Sequence, residues 1–358
     1  MDRSSNFRTN FVGRMVGDKA ECSRFQIEEQ VLREDSDVDL TKLAQFAFKH
    51  YVPKIHRVPI WKLLLRVSST APEVRKDIAK HRIQEAEVLL SSLRAMRLST
   101  ARTNSGRELG MEYHPTAVDI VRMIQLGDEA AIMNNNQHAL EMDFQAQLAI
   151  AKQMSIICES NWVDIYWLTK VFDELLSHIF TQNVLTEVVD NLKIQLVKAY
   201  AEMGNLDELI WENMPMNFWI RCGGAVVFDH EPLLNLWDKV CSSADCGIIK
   251  LLSTVIYNYL IELKPYLSKL EVNDFALGKG ILSVKTQNAI IKTSINVVIL
   301  FYEFYGALMT RNSSDPQILF RTCLPHGKSS LLLEVMSLQG LLSLCNSPNA
   351  QEFPNLSI

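Results

Sequence analysis

Apolar side chains recur along most of this chain at intervals of three and four residues, the spacing that gathers them on one side of an α-helix. Ile165, Leu168, Phe172, Leu175 and Ile179 advance by 3, 4, 3 and 4. Phe144, Leu148, Ala151 and Cys158 make a similar stripe just before them, and Val184, Val188, Leu192 and Leu196 make one just after. Three successive amphipathic helices must bury their stripes on one another. The most strand-like run, Glu141 to Leu148, has no β-branched residue and needs Ala146 counted as apolar, so it also reads as helix.

Nearer the N-terminus, Asp39 can cap a helix running to about His50, and Pro59 with Trp61 opens another to about Arg66. Pro72 starts a long segment to about Leu98, with Ile83, Ala86, Leu90 and Leu93 as its inner stripe. Leu89, Ser92 and Met96 form a shoulder beside that stripe. A helix with one buried face does not need a second stripe, so the shoulder is either an extra-wide core face or a partner surface. Further helices are expected at about 247–263 and 284–309, with polar loops at 99–110 and 134–137. The expected organisation is an N-terminal extension with a short helix over 1–38, an all-α domain over 39–310, and a mostly disordered tail over 311–358 that carries one apolar stretch, Leu331 to Leu344.

Composition agrees with helices and removes several function classes. The 358 residues hold 14 Gly and 11 Pro, few breakers for that length. With 36 Lys and Arg against 41 Asp and Glu, the net charge of −5 speaks against a general nucleic-acid binder. No uninterrupted apolar run is long enough to span a bilayer, and Met1 to Arg8 lacks the apolar region of a secretory signal. The 7 cysteines are scattered and never spaced Cys-x-x-Cys, a pattern of reduced cytosolic thiols rather than a metal site. Charge is uneven: residues 49–107 carry 13 Lys and Arg against 4 Asp and Glu, which reads as a solvated basic face or a docking surface for an acidic partner.

Most short motifs fail on spacing. Gly327-Lys328-Ser329 has Thr322 where a phosphate loop needs its first glycine. Cys241 and Cys246 near His230 lack zinc-ligand spacing, and no nucleophile motif is present. No cofactor or metal is expected.

Two blocks are more specific. Arg57-x-x-x-Trp61 precedes a leucine run, and Phe228-Asp229-His230-Glu231-Pro232-Leu233-Leu234-Asn235-Leu236-Trp237-Asp238 follows at a distance. In this order, with helical chain between them, they resemble the TBC domain family, whose fold is an all-α, multi-helix Rab GTPase-activating (Rab-GAP) domain. Asn6-Phe7-Arg8, residues 39–65, Leu148 to Lys152, Asp164 to Thr169 and Met216 to Cys222 extend the similarity toward the branch that serves as third subunit of the tuberous sclerosis complex. That resemblance implies binding to a hamartin-like coiled-coil protein and, through it, to a tuberin-like subunit. It also implies support of Rheb inactivation, negative regulation of TOR signalling, and a cytoplasmic location with recruitment to lysosomal or other endomembranes through the complex.

A catalytic member of the family supplies an arginine finger from Ile-x-x-Asp-x-x-Arg and a glutamine finger from Tyr-x-Gln. The arginine neutralises charge on the transferring phosphoryl group, and the glutamine orients the attacking water. Asp119 and Arg122 keep the spacing, but Thr116 stands at the isoleucine position, and none of the 9 tyrosines has glutamine two residues later. Arg122 is therefore open to three readings: a structural arginine, a partner contact, or a residual finger. The expected reading is a non-catalytic subunit; the alternative is an active activator of a Rab-type small GTPase. Partner binding is placed on Leu89, Ser92 and Met96, or on Val118, Val121 and Arg122. Arg57, Trp61, Trp237 and Asp238 are expected to be structural, with Arg57 and Asp238 each bonding locally.

Overall fold

A computed structural model describes residues 37–99, 114–128, 137–159, 161–201, 214–269 and 279–312. Most of the N-terminal extension, most of the two expected loops and nearly all of the C-terminal tail lie outside these residues. The described chain is all-α, with no β-strand in it. It forms two compact units, residues 1–181 with 217–243, and residues 182–216 with 244–358.

In the first unit, α1 (Leu40–Lys49) begins where expected, because the Asp39 carboxylate accepts from the backbone N–H groups of Thr41 and Lys42. α2 (Lys54–Leu64) starts five residues before Pro59, contrary to expectation. Pro59 gives up the N–H bond to the carbonyl four residues back and crowds that carbonyl, a cost this helix carries within its first two turns. α3 (Pro72–Ala95) has Pro72 at its first turn. It closes through Leu98 N–H donating to the Leu93 carbonyl, with Arg97 in the left-handed region. α4 (Ala117–Gly127) opens with a capping box in which Thr116 and Asp119 satisfy each other's backbone donors.

α5 (Gln137–Ile157) and α6 (Trp162–Ile179) follow, and the unit is completed by α8 (Met216–Arg221) and α9 (His230–Ser242). α5 packs on α6 and α4, α3 packs on α4 and α6, and α9 packs on α1 and α2.

The second unit contains α7 (Gln182–Ala201), α10 (Asp245–Leu263), the 3-10 turn Lys264–Lys269 and α11 (Val284–Asn312). α10 lies against α7, α11 and the 3-10 turn. The segment Asp245–Tyr266 is long and apolar enough by composition to cross a membrane, yet 61% of its apolar window is buried inside the molecule, as for a core helix.

The periodic stripes are correct in phase for some positions and one residue off for others. Ile165, Leu168, Phe172 and Ile179 are buried, but Leu176 outdoes the expected Leu175. Along α7 the buried positions are Leu185, Val189, Leu192 and Leu196 instead of a line through Val184 and Val188. Along α5, Ala146, Ile150 and Met154 join Ala151 and Cys158, while Phe144 and Leu148 are only half-buried. A helix enclosed by two neighbours buries a wider arc than one stripe, and periodicity alone does not locate its centre.

Candidate functional site

The two sequence blocks that stand furthest apart meet in the core of the first unit. Asp238 on α9 receives Arg57 Nε and Nη2 on its two oxygens, both at 2.9 Å, and Trp61 Nε1 on Oδ1, also at 2.9 Å. Arg57 and Trp61 share one face of α2 because four residues make about one helical turn. Arg57 Nη2 also donates to the Val52 carbonyl, fixing the entry to α2. Burial works against the Arg57 cation, but the charge and hydrogen bonds of Asp238 outweigh it and hold the guanidinium above its ordinary value. Burial likewise pushes the Asp238 carboxyl up, opposed by Arg57 and Trp61. The expectation that Arg57 and Asp238 bond locally is therefore corrected: the pair is fully buried and spans 181 positions of sequence.

Trp237 is a core anchor, as expected. Its indole N–H donates to the Gly223 carbonyl at 2.9 Å, and its ring lies 4.7 Å from Phe172 and 6.1 Å from Trp61, centroid to centroid. Gly223 and Gly224 have positive φ, and a Cβ on Gly224 would come within 2.9 Å of the Phe228 ring. The glycine pair, which opens no phosphate loop, thus makes room for the turn that delivers α9.

The contacts of two buried cations escaped the sequence reading. Arg221 Nη1 pairs with Asp173 at 2.6 Å and its Nε approaches Asp143 at 3.2 Å. Lys239 donates to the carbonyls of Ala47 and His50 at 2.7 and 2.6 Å, satisfying the end of α1. Burial pushes the Lys239 ammonium down to about 8. Only a lysine next to the Trp237-Asp238 pair could have hinted at the second contact, and the sequence names no partner for it.

The residues assigned to partner binding divide. Val121 is fully buried and belongs to the core, which removes it from any docking face. Val118 is half-buried. On α3, Leu89 and Ser92 are half-buried and Met96 is 54% exposed. Leu89 rests near the end of α4, its Cδ1 lying 3.7 Å from where a Cβ on Gly127 would sit. Val88 at 64% exposure, with Gln84, Glu87, Ser91, Ser92 and Ala95, lines a shallow open depression on the same helix. Ile83, expected inside, is 43% exposed. The helix is covered along Ala86, Leu90 and Leu93, so the shoulder is an edge between core and solvent rather than a second core face.

The Asp119 and Arg122 spacing also has a structural meaning. Asp119 is buried and occupied by the capping box with Thr116. Arg122 Nη1 donates to the Leu98 carbonyl, tying α4 to the residues that follow α3. Part of the basic stretch meets acids of later helices: Lys54 pairs with Glu159 at the surface and Lys62 with Asp164, while Arg82 stacks 3.8 Å over the Trp167 ring.

Among the described residues the cysteines form no disulfide. Cys158, Cys222 and Cys241 are buried, and burial pushes Cys158 up to about 12 and Cys222 up to about 11. Among the described residues no group of three or more His, Cys, Asp or Glu could hold a metal ion.

No family model matches the chain. It is, however, 27% identical over 273 residues to TBC1 domain family member 7 of Homo sapiens, covering 74% of this chain and 83% of that protein. The resemblance is to the TBC domain family. The protein of the same name from Danio rerio is 24% identical, covering 69% of this chain and 79% of its own, and that of Xenopus tropicalis is 21% identical, covering 76% and 88%. Among solved structures, the Ypt/Rab-GAP domain of Gyp1p is similar with a TM-score of 0.47 and 12% identity, covering 78% of this chain and 98% of that one. These relatives thus match between 69% and 76% of this chain.

Proposed function

We propose that this TBC-type chain is a non-catalytic subunit that binds a hamartin-like coiled coil and, through it, a tuberin-like subunit. In that role it supports Rheb inactivation and restrains TOR signalling, acting in the cytoplasm and on endomembranes to which the complex is recruited. The observation that supports absence of catalysis is that no Tyr-x-Gln occurs in the chain, so the residue that orients the attacking water is missing. Arg122 donates to the Leu98 carbonyl, and Asp119 is engaged in the capping box with Thr116. Partner binding is assigned to α3 through Leu89, Ser92 and Met96, with Val118 and Arg122 on α4 as the neighbouring edge. A helix laid on this edge would find apolar atoms flanked by polar ones, as in helix-in-groove recognition.

The second reading, an active Rab GTPase activator, is favoured by the retained Asp-x-x-Arg spacing. GTP hydrolysis measured over a Rab panel, with Arg122→Ala beside the wild type, separates the two. Hydrolysis should stay within a few-fold of the intrinsic rate; acceleration of about a hundredfold or more that Arg122→Ala abolishes would overturn the non-catalytic reading. Co-elution of the purified chain with a long coiled-coil protein tests the partner assignment.

A further inference from the structure

Three of the most exposed large apolar side chains of the first unit lie around one corner. Tyr51 is 48% exposed just before α2, Ile55 is 57% exposed on its first turn, and Ile156 is 54% exposed at the end of α5. The two helix ends are brought together by Lys54 and Glu159, whose charged atoms are 3.6 Å apart. Arg57 lies over the Tyr51 ring at 5.7 Å, and His230 reaches Gln153 of α5 at 3.3 Å, so α9 closes the corner from behind. Single exposed apolar residues are ordinary; three at helix ends tied by one ion pair offer a place for an apolar segment to dock.

We propose that the occupant is this chain's own N-terminal segment, residues 7–16. Phe7, Phe11 and Met15 follow one another at intervals of four, with Val12 and Val16 beside them, so one side of a short helix would present two rings and three aliphatic groups. The chain enters the first unit at Val38, which is buried and whose N–H donates to the Thr70 carbonyl at 3.2 Å. From there, α1 carries it about 15 Å to the Tyr51 corner. The 21 residues between Val16 and Val38 span roughly 25 Å as a loose coil and far more when extended, so the tether matches the distance. A tether of that length gives an effective concentration on the order of millimolar, which favours the attached segment over an unattached competitor.

The test replaces Ile156, in the full-length chain, with a photo-crosslinking amino acid; the exposed position should tolerate it. After irradiation of the dilute monomer, mass spectrometry should find crosslinked peptides from residues 1–36 within a single chain. A second sample adds Phe7→Ser and Phe11→Ser, which should lower that yield at least several-fold. Crosslinks only to another copy, only to other segments of the chain, or to nothing would overturn the assignment, as would an unchanged yield in the double variant. The inference stands apart from the proposed complex, since the experiment needs no partner.

Discussion

Arg57 and Asp238 form a bidentate ion pair, fully buried, between α2 and α9. Such a pair contributes little net stability when compared with apolar residues of the same shape, because both charges lose their water. Removing one member is another matter, since the other charge stays buried without a partner. Asp238→Ala is therefore expected to lower the unfolding free energy by about 3–5 kcal/mol in urea denaturation, or to abolish cooperative unfolding. Arg57→Met combined with Asp238→Leu should recover only part of the loss, because the Trp61 indole N–H and the Val52 carbonyl then lose their buried partners. A cost below about 1 kcal/mol for Asp238→Ala would mean that the pair does not fasten the two helices.

Gly224→Ala should destabilise through backbone and contact together. The residue has φ near +78°, and the new Cβ would meet the Phe228 ring at 2.9 Å. A loss of about 1–3 kcal/mol is expected in thermal or chemical unfolding, with the m-value unchanged. A neutral effect would show that the turn before α9 can relax at no cost.

Lys239 links stability to pH. Its folded value is pushed down to about 8 by burial, against an ordinary value of 10.5. Between these limits the unfolded chain binds more protons, so this group's contribution is present above about 10.5 and is lost as pH falls through about 8. Comparison with Lys239→Met isolates it from the thiols, which titrate in the opposite sense. The wild type should gain on the variant by up to about 3 kcal/mol as pH rises across that window. A difference that stays flat with pH would show that Lys239 ionises as though exposed.

Val121 and Met96 should separate folding from binding. Val121→Ala removes buried methyl groups and is expected to cost about 1–3 kcal/mol of stability. Met96→Asp places a charge on an exposed edge and should leave stability within about 0.5 kcal/mol of the wild type. If α3 carries the partner, the same Met96→Asp change weakens capture of a hamartin-like coiled coil at least tenfold in a binding titration. Unweakened binding would move the partner surface elsewhere.

Reading the candidate site from sequence worked for residue types and failed for their connections. Trp61 and Trp237 were legible as core anchors, because large aromatic side chains at helical spacing are buried in nearly any packing. The capping box with Thr116 gives the aspartate of the Asp-x-x-Arg spacing a structural role at the start of α4, which the spacing alone does not reveal. Val121 looked as suitable for docking as Val118, since one helix stripe shows no difference between a side facing another helix and a side facing a partner. Arg221 with Asp173, 48 positions apart, left no local signal.

The sequence alone determined that this protein is helical, where most helices begin, and that it resembles the TBC family, because periodicity, caps and short motifs are local properties of the chain. The tertiary structure decided that Arg57 and Trp61 meet Asp238, that Lys239 closes the end of α1, and that Lys54 and Lys62 of the basic stretch meet Glu159 and Asp164. Those outcomes depend on which helices lie side by side, and a charge is assigned its partner by distance in space rather than by position along the chain.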